Sequence, residues 1–333
     1  MRSTGAVGTI GLAGLAGCLG DEDEDGDDGA DGSGTDGDDG ENGGDEDGEQ
    51  STDGEPLPDE LDFLMSPTEP QDEMEAQYGP MADYLSEELG SEINLQYAQG
   101  YSAVISALGS GSGHIGEMGP FAAALGVRSD EVDIILQRYA YGSWEYASVI
   151  VTREDTDVES LEDLEGKTIA FADRLSSSGS LYPLYMLKQA GLDIGGLPED
   201  DSGADFEATF SSHTAAIESL QAGQADAAGV GMFIAVEDGD EEREEYLDGI
   251  ELVQKEDGIP RAPIAVSPEL GQDARDDIQQ AFLDAPDEAY EGDGDENQLW
   301  FSDVREADAE AYEPVVEVAR DLGISADLLD EDL

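Results

Sequence analysis

The chain has 333 residues, with 83 Asp and Glu against 13 Lys and Arg and a formal net charge of −70 at pH 7. So few cations exclude a nucleic-acid partner, because phosphate backbones are held by clustered Lys and Arg. The length allows about two domains, and a hydrophobic fraction of 38% is enough for their cores only because the acid is unevenly spread.

The first eighteen residues run from Met1 through a weakly apolar stretch to Leu15-Ala16-Gly17-Cys18. That stretch is too short to span a bilayer and has the make-up of a signal-peptide apolar region. Leu15-Ala16-Gly17-Cys18 resembles the lipobox of secreted lipoproteins, whose Cys takes a lipid. Cys18 is the single cysteine of the chain, so it forms no internal disulfide and reads as an anchor. Arg2-Ser3-Thr4-Gly5 resembles the tail of a twin-arginine signal, which sets the expected start upstream of Met1. Residues 19–60 read as a disordered acidic tether, since 21–60 hold 20 acids and no base. A flexible coil of this length spans roughly 35 Å, enough to hold a domain off a surface.

From residue 61 onward there are 63 acids and 12 bases, a net of −51, yet apolar runs recur. The lysines are Lys167, Lys188 and Lys255, against nine arginines in this part and ten in the whole chain. Self-repulsion of this size strains a compact state at low salt, whereas the Debye length falls to about 3 Å at 1 M. The folded part therefore reads as a halophile's protein.

In chain order, Leu61 to Met65 predicts a strand, with Ser66-Pro67-Thr68-Glu69 as a turn and helix start. Met74, Tyr78, Met81, Leu85 and Leu89 recur at helical spacing. Strands follow at Ile93–Tyr97, Ile115–Met118, Val132–Tyr139 and Tyr146–Thr152, with a helix at Tyr101–Leu108. In the second half, Thr168–Ala172 and Ala225–Val230 predict strands, and Leu181–Ala190 and His213–Gln221 predict helices. Ile259-Pro260 leads into a strand through Val266, and helices are expected over Asp273–Leu283 and Ala307–Leu322. This alternation argues for an α/β fold with largely parallel sheets. The halves also echo each other at an offset of 112, which sets Tyr101, Ile105, Leu108, Gly111, Gly119 and Phe121 against His213, Ile217, Leu220, Gly223, Gly231 and Phe233. The same offset sets Ser66 against Ser178.

The sharpest chemical feature is Asp173-Arg174-Leu175-Ser176-Ser177-Ser178-Gly179, between a strand and a helix. Serine hydroxyls and free N–H groups at a helix start make an anion site, and Gly179 allows close backbone approach. Simple N-capping needs one serine, and three in a row favour oxyanion binding. His213, after Ser211-Ser212, opens a second helix and adds a donor. No catalytic constellation competes. Beyond Cys18 the folded part has no cysteine, its histidines are His114 and His213, and no phosphate-loop or dinucleotide fingerprint occurs. A His/Cys metal site is excluded by count, and no cofactor is called for. A serine hydrolase would need a base with an orienting acid, and only His213 is at hand.

These segments together resemble the phosphate/phosphite/phosphonate-type substrate-binding subunits of ABC importers. The resemblance covers about residues 61 to 270. It rests on Ser66-Pro67-Thr68-Glu69, Gln99-Gly100-Tyr101, Gly119-Pro120, Tyr146 to Val151, Leu161 to Lys167, Ser176-Ser177-Ser178-Gly179 with Pro183, His213, Ala225-Asp226-Ala227 and Ile259-Pro260. It implies a two-lobed, periplasmic-binding-protein-like α/β fold of type II, with lobe 1 at 61–150 plus 262–333, lobe 2 at 151–261 and the ligand in the cleft. It further implies ligand contacts from Ser176, Ser177, Ser178, Gly179 and His213, with Tyr101, Tyr146, Ser66 and Thr68 reaching in from the other side. The implied partners are a small phosphorus oxyanion and an ABC permease with its ATPase. The implied setting is the outer face of the cell membrane, where a monomer is held by lipid on Cys18. Members that bind amino-alkyl phosphonates place an acid near the positions of Phe233 and Ala262. These are apolar here, so phosphate, phosphite or methylphosphonate is the expected ligand. Arg174 and Arg261 are the cations expected nearby; either can add charge to the site, and surface ion pairs with the abundant carboxylates are the role favoured for both. The alternatives are the same fold binding a sulfonate or vitamin precursor, and an extracellular sensor without transport.

Overall fold

Leu61, Phe63 and Met65 are fully buried in β1 (Glu60–Met65), the strand that begins the folded body. The computed structural model describes residues 56–200, 202–237, 244–292, 294 and 297–324. Cys18, the signal segment and the acidic tract through residue 55 lie outside the described residues. Leu57 packs on the first core, so folded chain begins a few residues before the expected end of the tether at 60.

The helix α1 (Gln71–Leu89) buries Met74, Tyr78, Met81, Ala82 and Leu85, the three-and-four spacing of one apolar face. The chain continues through β2 (Glu92–Tyr97), α2 (Tyr101–Gly109), β3 (Ile115–Glu117), α3 (Pro120–Arg128) and β4 (Asp133–Tyr139). It then crosses to a second sheet with β5 (Glu145–Arg153), β6 (Thr168–Phe171), α4 (Tyr182–Gln189), β7 (Glu207–Phe210), α5 (His213–Gln221), β8 (Ala227–Gly231), α6 (Met232–Ala235) and β9 (Ile250–Pro260). It returns through β10 (Pro263–Val266), α7 (Gln272–Leu283), α8 (Asp287–Glu291), β11 (Asp303–Glu306) and α9 (Glu313–Leu322).

The first sheet has the order β11-β4-β10-β3-β1-β2 and the second β7-β6-β8-β5-β9. Each is mixed rather than largely parallel. In the first, β1 runs parallel to β2 and β3, whereas β10 is antiparallel to β3 and β4, and β11 to β4. In the second, β6 runs parallel to β7 and β8, whereas β5 is antiparallel to β8 and β9. Parallel neighbours need a long crossover, usually a helix, and β5 and β10 are entered straight from the other sheet without one. The strand expected through Val266 is present as β10, but Ile259-Pro260, expected to lead into it, ends a strand of the other sheet.

The two crossing segments are tied together. Arg261 N–H donates to the Trp144 carbonyl at 2.9 Å, and its Nε to the Ser143 carbonyl at 3.1 Å. The helix α9 spans both halves, packing on α3 and receiving Lys188 Nζ of α4 on the Asp321 carbonyl. One apolar cluster likewise mixes Tyr101, Phe121 and Tyr312 with Leu175, Leu181 and Ile259, so the two sheets meet across a closed interface. Each such buried side chain contributes about 1.5–3 kcal/mol.

The offset of 112 matches the structure from α2 and α5, which begin at Tyr101 and His213, through Gly111 and Gly223, with φ of 68° and 71°. It fails for Ser66 and Ser178. Phe63 pairs with Ile115 and Ile169 with Ala227, which sets Ser66 against Ala172 instead. The loop from β6 to its helical turn, 172–176, is as long as the 66–70 loop between β1 and α1, so the extra chain of the second half lies between the start of that helix and β7.

Candidate functional site

The serine loop after β6 enters α4 through a π-helical turn, Ser177–Leu181, capped by Ser176. Such turns are rare and cluster at functional sites. Its carbonyls are taken up from behind: Ser148 Oγ donates to Ser178 O at 2.7 Å, and Ser180 Oγ to Asp173 O at 2.7 Å. Gly179 is held where any side chain would collide. A Cβ there would lie 2.3 Å from Ala172 Cβ, 2.8 Å from His213 Cε1 and 3.0 Å from Ser176 Oγ.

His213 is 4% exposed. Its Nδ1 accepts the Gly231 N–H at 3.1 Å, so the proton sits on Nε2, which lies 3.1 Å from Ser176 Oγ. Burial lowers its pKa to about 4, which leaves a neutral imidazole donating from Nε2 at neutral pH. Ser176 Oγ accepts from Gly179 N–H at 3.1 Å and from His213, which leaves its own hydroxyl hydrogen as a donor.

Ser176, Ser178 and His213 line one cavity of about 50 Å³ together with Ser66, Thr68 and Tyr101 from across the cleft, whereas Tyr146, expected from the other side, stands on β5 of the same sheet as the serine loop. Ser177 and Gly179 stand behind this wall. Ser177 Oγ accepts the Phe121 N–H at the start of α3, at 2.7 Å, and so joins the two sheets. Asp173 makes a parallel link by accepting the Tyr101 N–H at the start of α2, and its burial raises the carboxyl's pKa. The Ser66 hydroxyl is committed to Glu117 Oε1 at 2.6 Å, and Thr68 Oγ1 donates to Met74 Sδ at 3.4 Å. His114 lies apart, accepting the Asp62 N–H.

Phe233 and Ala262 line the same cavity, as does Arg261, which was expected nearby, but so do Glu69, Glu117 and Arg138, which sequence reasoning did not place there. Glu117 and Arg138 form a buried pair, Oε2 to Nη1 at 2.8 Å, with each side chain 1% exposed. Glu69 is half-buried; burial, then neighbouring Glu73 and Glu117, raises its carboxyl pKa against the lowering bond from Gln77. Arg261 is buried at the crossing segment with Tyr141 and Tyr146 against its guanidinium, which corrects its expected surface ion pair. Arg174 lies outside the cavity, its guanidinium 4.1 Å above the Phe210 ring. The sequence carries only a local trace of the buried pair: Glu117 ends the short strand Ile115-Gly116-Glu117, and Arg138 follows Gln137 after the apolar run Ile134-Ile135-Leu136.

The arrangement is a small, largely apolar chamber lined by neutral donors of the serine loop, by the Glu117–Arg138 ion pair, and by Glu69 and Arg261. Among the described residues, no group of His, Cys, Asp or Glu is arranged to hold a metal ion. Nor is any helix there long and apolar enough to cross a membrane. Two sheets with a polar-tipped chamber between them are the layout of a small-ligand-binding protein.

The comparisons give the class its family. Residues 63–312 match the model of the ABC transporter, phosphonate, periplasmic substrate-binding protein family, and the chain belongs to that family. It is 26% identical over 252 residues to the phosphate-import protein PhnD of Mycolicibacterium smegmatis, covering 74% of this chain and 78% of that protein. It has the fold of PhnD1 from Prochlorococcus marinus, solved in complex with methylphosphonate, at a TM-score of 0.64 and 19% identity over 80% of this chain and 99% of that one. A binding protein component of an ABC phosphonate transporter from Pseudomonas aeruginosa is similar at a TM-score of 0.64 and 19% identity, over 78% and 85% of the two chains. The protein is thus a substrate-binding component of an ABC importer and not an enzyme.

Proposed function

We propose that this protein captures a small phosphorus oxyanion outside the cell and delivers it to an ABC permease and its ATPase, while held to the membrane by lipid on Cys18 and surrounded by concentrated salt. The observation that carries the reading is the convergence of Ser176, Ser178 and neutral His213 on one cavity that Arg138 and Arg261 also line. Neutral hydroxyl donors suit an anion, His213 spends its one N–H on Ser176 so that the Ser176 hydroxyl hydrogen is left for the ligand, and each bond to a charged group contributes about 1.5–3 kcal/mol. Two lobes, 61–150 with 262–333 and 151–261, close on the ligand in this reading. The contacts from Ser177 and Asp173 to the starts of α3 and α2 support it as links that hold the closed form. The cavity of about 50 Å³ favours phosphate, phosphite or methylphosphonate over long-chain phosphonates.

A thermal-shift panel in molar salt tests the reading. At least one of phosphate, phosphite and methylphosphonate should raise the melting temperature, and methanesulfonate and a vitamin precursor should not. A response to the sulfonate or vitamin precursor alone would replace the ligand class and keep the fold.

A further inference from the structure

The buried pair opposite the serine loop has hydrogen-bonding capacity that the protein does not use. Arg138 Nε donates to Ala262 O at 3.1 Å, and Nη1 donates to Tyr78 Oη at 3.0 Å and to Glu117 Oε2 at 2.8 Å. Both Nη1 hydrogens are thereby spent, and Nη2 has no acceptor among the described residues. The guanidinium is fixed in place by the Trp300 ring at 4.3 Å. Glu117 Oε1 accepts Ser66 N–H and Ser66 Oγ–H, each at 2.6 Å, and Oε2 accepts Arg138 alone. A carboxylate has about four acceptor positions, so one remains on Oε2. The pair therefore presents an unspent donor and an unspent acceptor side by side, on residues that line the ligand cavity.

Leaving such groups unsatisfied in a buried cavity costs about 1–3 kcal/mol each, and a ligand that completes both recovers that cost. With three oxygens of a tetrahedral phosphorus anion on the donors of the serine-loop wall, the fourth substituent faces Glu117 and Arg138. A P–OH group donates to Oε2 and accepts from Nη2, so one atom satisfies both. A P–CH3 or P–H group does neither. Sulfate brings an oxygen that accepts but has no hydrogen to give, and so meets the carboxylate as a like charge. An ammonium group donates but meets the Arg138 cation.

We propose that Glu117 and Arg138 form a selectivity element that reads the fourth phosphorus substituent as a hydroxyl, which makes protonated orthophosphate the preferred ligand. The proposal rests on the oxyanion-binding reading above and adds the choice among oxyanions.

Calorimetry on the full chain in molar salt, with phosphate, methylphosphonate, sulfate and 2-aminoethylphosphonate, tests it. Phosphate should bind about tenfold or more tighter than each of the others. Glu117→Gln, which keeps the side chain's shape and removes its charge, should narrow the phosphate-to-sulfate ratio by about tenfold. Methylphosphonate or 2-aminoethylphosphonate binding as tightly as phosphate to the unaltered protein overturns the proposal without any variant. An unchanged ratio in a folded Glu117→Gln protein overturns the assignment to this pair. Binding of none of the phosphorus compounds is a separate result, which removes the oxyanion reading itself.

Discussion

At His213 a backbone amide decides which nitrogen faces the cavity. Because Gly231 N–H occupies Nδ1, the ring serves as a neutral donor through Nε2, and its burial holds the pKa at about 4 rather than 6.5. Between those two values the unfolded chain binds more protons than the folded one, so acidification across that window favours unfolding. His213→Gln removes this dependence. From pH 7 to pH 5 the unaltered protein should lose about 2 kcal/mol more stability than the variant, measured by denaturant unfolding of both. Asp173 and Glu69, whose carboxyl pKa values are raised, act in the opposite direction but equally in both proteins, so the difference isolates His213. Equal pH dependence in the two would contradict a buried, neutral imidazole.

Gly179, between β6 and α4, and Gly223, after α5, show why glycine is required at one position and only preferred at another. Gly179→Ala places a methyl against Ala172, His213 and Ser176. It should cost about 1–3 kcal/mol by overpacking and weaken oxyanion binding at least as much, because two of the displaced groups are donors. Gly223→Ala meets only the Arg153 guanidinium at 3.8 Å but has a φ of +71°. It should cost about 1 kcal/mol and leave affinity unchanged, by the same melting and titration measurements. Elements with one polar face were legible in the sequence: α1, α5 and α7 lie where apolar spacing set them. The helix α3 was not, because Pro120 through Gly126 are all buried and leave no periodicity to read. The edge strands β7 and β11 are four residues each and largely uncovered, so they lack an apolar run. In the site, the Ser176–Gly179 loop and His213 carried a local pattern, whereas Glu117 and Arg138 become a pair only through a contact between two strands.

For the whole molecule, the charge of −70 divides between a tract outside the described residues and a folded body that keeps its few cations in specific contacts. Arg138 and Arg261 are buried at the cavity, and Lys188 ties α4 to α9. Most carboxylates are thus left to repel one another, which salt screens within about 3 Å at 1 M. The melting temperature should rise steeply from low to molar salt, and equal values would contradict a halophilic surface. The account's central claim is that a phosphorus oxyanion sits against Ser176 between the two sheets. Calorimetric titration of phosphate and methylphosphonate into the unaltered protein and Ser176→Ala in molar salt tests it most directly. The account predicts one-to-one binding of at least one of them to the unaltered protein, and a loss of about tenfold or more in a variant that still melts cooperatively. Equal affinity in the two proteins, or no binding of either anion to the unaltered one, would contradict it.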